Sequence, residues 1–211
     1  MAAAVAQDRR NATGGGACLR RSFVVAGLFL AASMTVPAAS TQPVPVTVPV
    51  AVQADRGVYR VAATFATLQP MAVAHAVLTD YERIPRFMPD VRSSRVIERG
   101  IDRAVVEQEA VARVLFFSKQ VRLVLEVQEA PASIRFRDRS GLSFIRYEGQ
   151  WTLREQDGHA VIGYELLAEP GFDVPEFILT RLLKRDAGRM IDALRAEIAA
   201  RDAGQARPAT P

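Results

Sequence analysis

From Val91 to Ala168 the chain repeatedly alternates apolar and polar side chains with a period of two. Val121, Leu123, Leu125 and Val127 fall on one side of an extended segment. Gln120, Arg122, Glu126 and Gln128 fall on the other, and only Val124 breaks the polar set. Ser133 to Arg139 sets Ile134 and Phe136 against Arg135, Arg137 and Arg139. Between Phe144 and Arg154, Ile145, Tyr147, Gly149, Trp151 and Leu153 oppose Arg146, Glu148, Gln150, Thr152 and Arg154, and Ala160, Ile162, Tyr164 and Leu166 repeat the pattern. Successive side chains of a strand point to opposite faces, so this periodicity predicts an antiparallel sheet with one buried and one wetted face. Turn signals at Ser118-Lys119, Ala130-Pro131, Ser140-Gly141 and Asp157-Gly158 divide the strands. In Arg103 to Phe117 the parity of Val105, Val111 and Leu115 also carries Glu107 and Glu109, which assigns those two carboxylates to the inward face.

Ahead of the sheet, Val58 to Thr67 has strand composition, with Tyr59, Val61, Ala63 and Phe65 on one face. A short helix is expected from Pro70 to Leu78, where Met71, Ala74, Val77 and Leu78 recur at helical spacing. The stretch Asp80 to Val91 cannot continue it, because Pro85 and Pro89 disfavour helical backbone in the residues ahead of them. Its apolar side chains Ile84, Phe87 and Met88 form either a movable lid or a plug at the end of the core, with a second helical piece over Tyr81 to Met88. Asp80 is assigned to a turn or helix end, where Asp bonds nearby backbone.

The last element is a helix to about Ala200. Asp173 and Glu176 are placed for a capping box with Pro175 in the first turn. Leu179, Leu183, Met190, Ile191, Leu194 and Ile198 form an apolar stripe, and Lys184, Arg185, Arg189, Arg195 and Arg201 lie outside it. Such a helix can rest on a membrane, but the sheet's apolar face needs a cover and this stripe supplies one.

Residues 1–40 read as an export signal. Arg20 and Arg21 precede an apolar run ending near Val36, and Pro37 to Ser40 supply small residues for cleavage. The run is shorter than the roughly 20 residues that span a bilayer, so an exported protein is expected ahead of an N-terminally membrane-anchored one. Arg20-Arg21-Ser22-Phe23-Val24 also resembles a twin-arginine motif, which leaves twin-arginine and Sec export both open. Residues 41–56, dense in Pro and Val, read as an extended linker. The folded domain is expected over 57–202, followed by a disordered tail over 203–211.

Residues 1–40 hold four of the chain's 27 basic side chains and one of its 23 acidic ones, so the remainder is within one charge of neutrality. The sheet's arginines are expected to pair with Glu126, Glu148 and other carboxylates rather than bind nucleic acid, since a phosphate-binding face needs a cationic excess. Cys18 is the only cysteine, and His75 and His159 are far apart in sequence. No metal site and no cofactor is expected.

The segment Leu78-Thr-Asp-Tyr-Glu-Arg-Ile-Pro-Arg-Phe-Met-Pro-Asp-Val91, the segment Arg146-Tyr-Glu-Gly-Gln-Trp-Thr-Leu153 and the terminal helix together resemble the START-like (SRPBCC) superfamily, in its polyketide cyclase/dehydrase and coenzyme Q-binding Coq10-like group. The resemblance covers Val58 to Arg201. It implies an α+β helix-grip fold: a curved antiparallel sheet around a long C-terminal helix, two short helices after the first strand, and an apolar cavity between sheet and helix. It also implies binding of lipids, quinones or polyketides, with enzymes a minority. The expected function is an exported protein that holds a hydrophobic small molecule, such as a lipid or an isoprenoid quinone. The cavity residues are expected to be Phe65, Ile84, Phe87, Met88, Leu123, Leu125, Tyr147, Trp151, Tyr164, Met190 and Leu194. One alternative is a cyclase or dehydratase using an acid or base among Tyr147, Tyr164, Glu107 and Glu109. The other is a module that contacts a protein or, peripherally, a membrane surface.

Overall fold

The computed structural model of the chain describes residues 48–205, except Pro89, Leu115, Phe116 and the side chains of Val114, Phe117 and Gln205. The chain divides into residues 1–43 and 44–211. The expected export signal, the first part of the expected linker and the end of the tail lie outside the described residues.

The strands are β1 (Val50–Asp55), β2 (Val58–Ala66), β3 (Val91–Arg99), β4 (Arg103–Val114), β5 (Phe117–Ala130), β6 (Ser133–Asp138), β7 (Phe144–Gln156) and β8 (His159–Pro170). Between β2 and β3 come helix α1 (Met71–Leu78), a 3-10 turn (Tyr81–Arg83) and helix α2 (Ile84–Phe87); helix α3 (Glu176–Gln205) ends the fold. The strands form one antiparallel, curved sheet in the order β1-β2-β8-β7-β6-β5-β4-β3. This is the expected helix-grip arrangement, with one strand more at its edge.

That strand corrects the linker. Residues 50–55 pair with β2 from Val50 opposite Ala63 to Asp55 opposite Val58. The joining residues Arg56 and Gly57 both have positive φ, 50° and 83°, the backbone of a tight hairpin turn that follows the right-handed strand twist. Proline density ahead of Val50 conceals an edge strand, where lost ladder bonds cost least. Asp157 and Gly158, with φ of 52° and 76°, make the same turn between β7 and β8.

Three other boundaries move. Ser118 and Lys119 are inside β5, paired with Arg113 and Ala112, so the β4–β5 hairpin turns earlier than the polar pair suggests. Helix α3 begins at Glu176, where the Pro175 carbonyl accepts from the amides of Ile178 and Leu179. Asp173 therefore lies two residues ahead of the N-cap position. The helix continues through Gln205, beyond the expected domain end at 202.

The core lies between the sheet's inner face and the stripe of α3. Ile162, Ile191, Leu194, Ile198, Val61, Val77 and Val106 are its largest fully buried side chains. Truncating any one of the isoleucines or leucines to Ala is worth about 2–5 kcal/mol of stability. Gly149 shapes the sheet from within: a Cβ there would lie 2.3 Å from the Glu165 carbonyl oxygen and 2.7 Å from Cζ of Phe136. Its missing side chain lets the Phe136 ring fold across the strand.

On the outer face the charges pair as expected. Arg137 and Arg139 reach Glu126 at 3.4 and 3.6 Å, Arg122 reaches Glu109 at 3.0 Å, Arg95 reaches Glu107 at 2.7 Å, and Arg146 bonds Glu148. Exposed pairs of this kind contribute about 0.2–1 kcal/mol each.

Candidate functional site

A cavity of about 310 Å³ lies between the inner sheet face, the connector after α1 and helix α3. Alternation on β5 brings Val121, Leu123, Leu125 and Val127 to its wall, and β6 adds Ile134 and Phe136. From β7 come Phe144, Tyr147 and Trp151, from β8 Tyr164 and Leu166, and from α3 Leu183, Ala187, Met190 and Leu194. The connector closes one side with Tyr81, Ile84, Phe87 and Met88. Ten of the eleven expected cavity residues thus stand around one space. Phe65 does not: it is 5 % exposed and packs in the core at the end of β2, away from the lining.

Two parity assignments fail. On β4 Val106, Gln108, Ala110 and Ala112 line the cavity, joined by Val111 of the other parity, while Glu107 and Glu109 turn outward to their arginine partners. The segment's mixed alternation fits either register, and pairing with β3 and β5 decides it. On β7 a register shift between Phe144 and Arg146 puts Phe144 inside and leaves Ile145 70 % exposed, because a bulge inverts the alternation ahead of it.

The polar groups of the cavity are few. Burial is the main cause that pushes the Tyr147 phenol up to about 12 and the Tyr164 phenol well above its usual range. Both therefore stay protonated and act as donors. Trp151 lies over Tyr164 with ring centroids 4.4 Å apart, and Phe144 packs on Tyr147 at 4.9 Å. The Gln108 side-chain amide donates to the Ser94 hydroxyl at 3.1 Å. Asp90 and Asp186, whose side chains are 25 % and 27 % exposed, mark where the cavity meets solvent. Burial is the largest cause that raises the Asp186 carboxyl, offset by Arg185.

The connector is held at both ends. Tyr81 donates to Glu129 at 2.8 Å, and Arg99 bonds the same carboxylate at 2.8 Å while covering the Tyr81 ring. Asp80 does not cap the 3-10 turn with its side chain as expected. It meets Nη1 of Arg201 at 2.8 Å, and Arg201 in turn bonds Glu197 at 2.7 Å. Arg201, expected outside the apolar stripe, is therefore tucked in at 16 % exposure. At the other end Asp90 pairs with Arg189 at 3.3 Å. Sequence reasoning missed Gln108, Asp90 and Asp186 as lining and Arg201 as a tie. Arginines at helical spacing facing aspartates ten residues apart are a signal only once α3 is laid along the connector.

A larger depression, about 770 Å³, lies on the outer sheet face among Arg60, Arg135, Arg137, Glu126, Glu148 and Glu165. It mixes charges of both signs and is an open trough, so an apolar molecule gains little there. His75 and His159 hold backbone carbonyls of Ala130 and Leu68 at 3.3 and 3.1 Å. Among the described residues, no three His, Cys, Asp or Glu side chains gather as metal ligands, and no helix is long and apolar enough to cross a membrane.

Comparison with known proteins gives a consistent picture. Residues 69–195 match the family described as polyketide cyclase / dehydrase and lipid transport. No curated protein matches the sequence. Among solved structures, the Zhui aromatase/cyclase from Streptomyces sp. R1128 superposes with a TM-score of 0.61 at 14% identity, over 69% of this chain and 96% of that one. The STAR-related lipid transfer protein from Xanthomonas axonopodis gives 0.53 at 16%, over 72% and 99%. Human STARD10 gives 0.60 at 11%, over 77% of each chain.

Proposed function

The chain belongs to the polyketide cyclase/dehydrase and lipid transport family, and from that premise we propose that it is an exported carrier of a hydrophobic small molecule held between the sheet and α3. The observation that carries this reading is the cavity itself, whose lining is aliphatic and aromatic save for a few placed polar groups, the usual character of a small-molecule site. An isoprenoid quinone head group or a single lipid chain is the ligand class that best matches such a wall. The connector, with Ile84, Phe87 and Met88 over the cavity, serves as the lid through which the ligand passes.

Native mass spectrometry and solvent extraction of the purified mature protein test this. A stoichiometric apolar molecule is the expected result; an empty protein that takes up no lipid or quinone overturns it. Export rests on the cationic, then apolar, segment from Arg20 to Ser40. It is tested by fractionation and N-terminal sequencing, with Arg20→Lys/Arg21→Lys blocking export on the twin-arginine route alone.

A cyclase or dehydratase is the weaker reading. With Glu107 and Glu109 outward, the proton-transfer groups that line the cavity are phenols and the two rim aspartates.

A further inference from the structure

Resting on the carrier reading above, we propose that the cavity selects an uncharged ligand with an oxygen acceptor, bound by the Tyr147 hydroxyl at depth, and rejects the corresponding carboxylate. Among the described lining residues the charged ones are Asp90 and Asp186, both acidic. The arginines beside these two carboxylates are already engaged. Arg189 is held by Asp90 at 3.3 Å, and Arg185 is held by Asp186 at 2.8 Å and by the Arg113 carbonyl at 2.5 Å. An anionic head group at the rim meets two carboxylates whose arginines are spoken for. Deeper in, it finds no cation among the described lining residues, and an unpaired charge in an apolar space is strongly disfavoured.

The neutral alternative is well served. Tyr147 and Tyr164 both line the cavity, and each phenol carries one O–H donor. The Tyr164 ring is stacked with Trp151, and the Tyr147 hydroxyl is the donor that serves the ligand. A ketone, ester or quinone oxygen accepts it. A volume of about 310 Å³ sets the scale of the occupant. At about 30 Å³ for a water-sized group, it holds about ten methylene-sized units, one chain or a small ring system rather than a two-chain lipid.

Trp151 is the only tryptophan of the chain and lines the cavity, so its fluorescence reports occupancy. The full mature protein is titrated at pH 8 with 2-undecanone, undecanoic acid and 1-undecene, matched in length. The ketone is expected to bind at least about tenfold tighter than the acid. Tyr147→Phe is expected to weaken the ketone about fivefold to tenfold, the scale of one buried hydrogen bond, and to leave the alkene unchanged. Equal or tighter binding of the acid overturns the selectivity while leaving the carrier reading standing. A ketone preference that survives Tyr147→Phe removes Tyr147 from it. Failure of all three probes to bind overturns the carrier reading and this inference together.

Discussion

Arg201, in the closing turns of α3, meets Asp80 at the start of the connector with an Nη1–Oδ2 distance of 2.8 Å. Twelve residues earlier on the same helix, about 18 Å along its axis, Arg189 meets Asp90 at the connector's far end. One helix therefore fastens both ends of the segment that covers the cavity, and the two fastenings differ in burial.

The inner pair is the structural one. Nη2 of Arg201 is already buried without a partner, so removing Asp80 leaves more of the guanidinium unsatisfied. Asp80→Asn is expected to cost about 1–3 kcal/mol in urea denaturation, and Asp80→Asn/Arg201→Met to recover part of it. A loss below about 0.5 kcal/mol would show that the pair holds nothing.

The outer pair is a kinetic matter. With Arg189 44 % exposed, Asp90→Asn should change global stability by no more than about 0.5 kcal/mol. Amide exchange across 84–88 should nevertheless quicken relative to the rest of the sheet. Unchanged exchange there would mean that the connector is held by its apolar contacts alone.

Asp186 gives a pH signature. Its carboxyl is raised by burial, with Asp90 adding to the shift and Arg185 and Arg189 opposing it. A carboxyl raised in the folded state binds its proton more tightly there than in the unfolded chain, so its charge destabilises the fold as pH rises through the shifted value. Asp186→Asn should melt higher than the parent protein at pH 7. The gap should close as pH falls toward the ordinary carboxylate value of 3.8. A lower melting temperature at pH 7 contradicts the assignment.

Gly149 admits no side chain. Phe136 can swing away from a new Cβ, but the Glu165 carbonyl, 2.3 Å from it, belongs to a paired strand. Gly149→Ala should cost about 3 kcal/mol by thermal or urea unfolding, at the upper end for overpacking. Adding Phe136→Leu should not restore it.

Filling the cavity separates binding from folding. Ala110 lines it from β4, and Ala110→Phe places a ring in open space at a strand position that favours aromatics. Ligand affinity should fall at least about tenfold while the melting temperature holds or rises. Undiminished affinity would put the ligand elsewhere.

The inner faces of β2, β5 and β8 were legible in the sequence because each carries an unbroken apolar parity. Ile84, Phe87 and Met88 were legible as the apolar residues of a connector that does not continue α1, although Pro85 lies within the first turn of α2 and Ile84 ahead of it is helical. β4 was misread because its alternation is compatible with both faces, and its side chains are sorted only by partner strands. Ile145 was misread because one extra residue inverts parity locally, which no periodicity count registers. Asp80, Asp90, Asp186, Arg189 and Arg201 were visible as charges, but their meetings span about a hundred residues of chain and depend on where α3 lies.

Fastening at both ends has one more consequence. A flap hinged at one edge swings wide and admits bulky cargo, whereas a strip tied at both edges can only bow. Passage past Ile84, Phe87 and Met88 is then limited by girth. On the proposed carrier reading, slender molecules exchange quickly and broad ones slowly, whatever their affinities once inside, so the bound ligand reflects what could slip in as much as what fits.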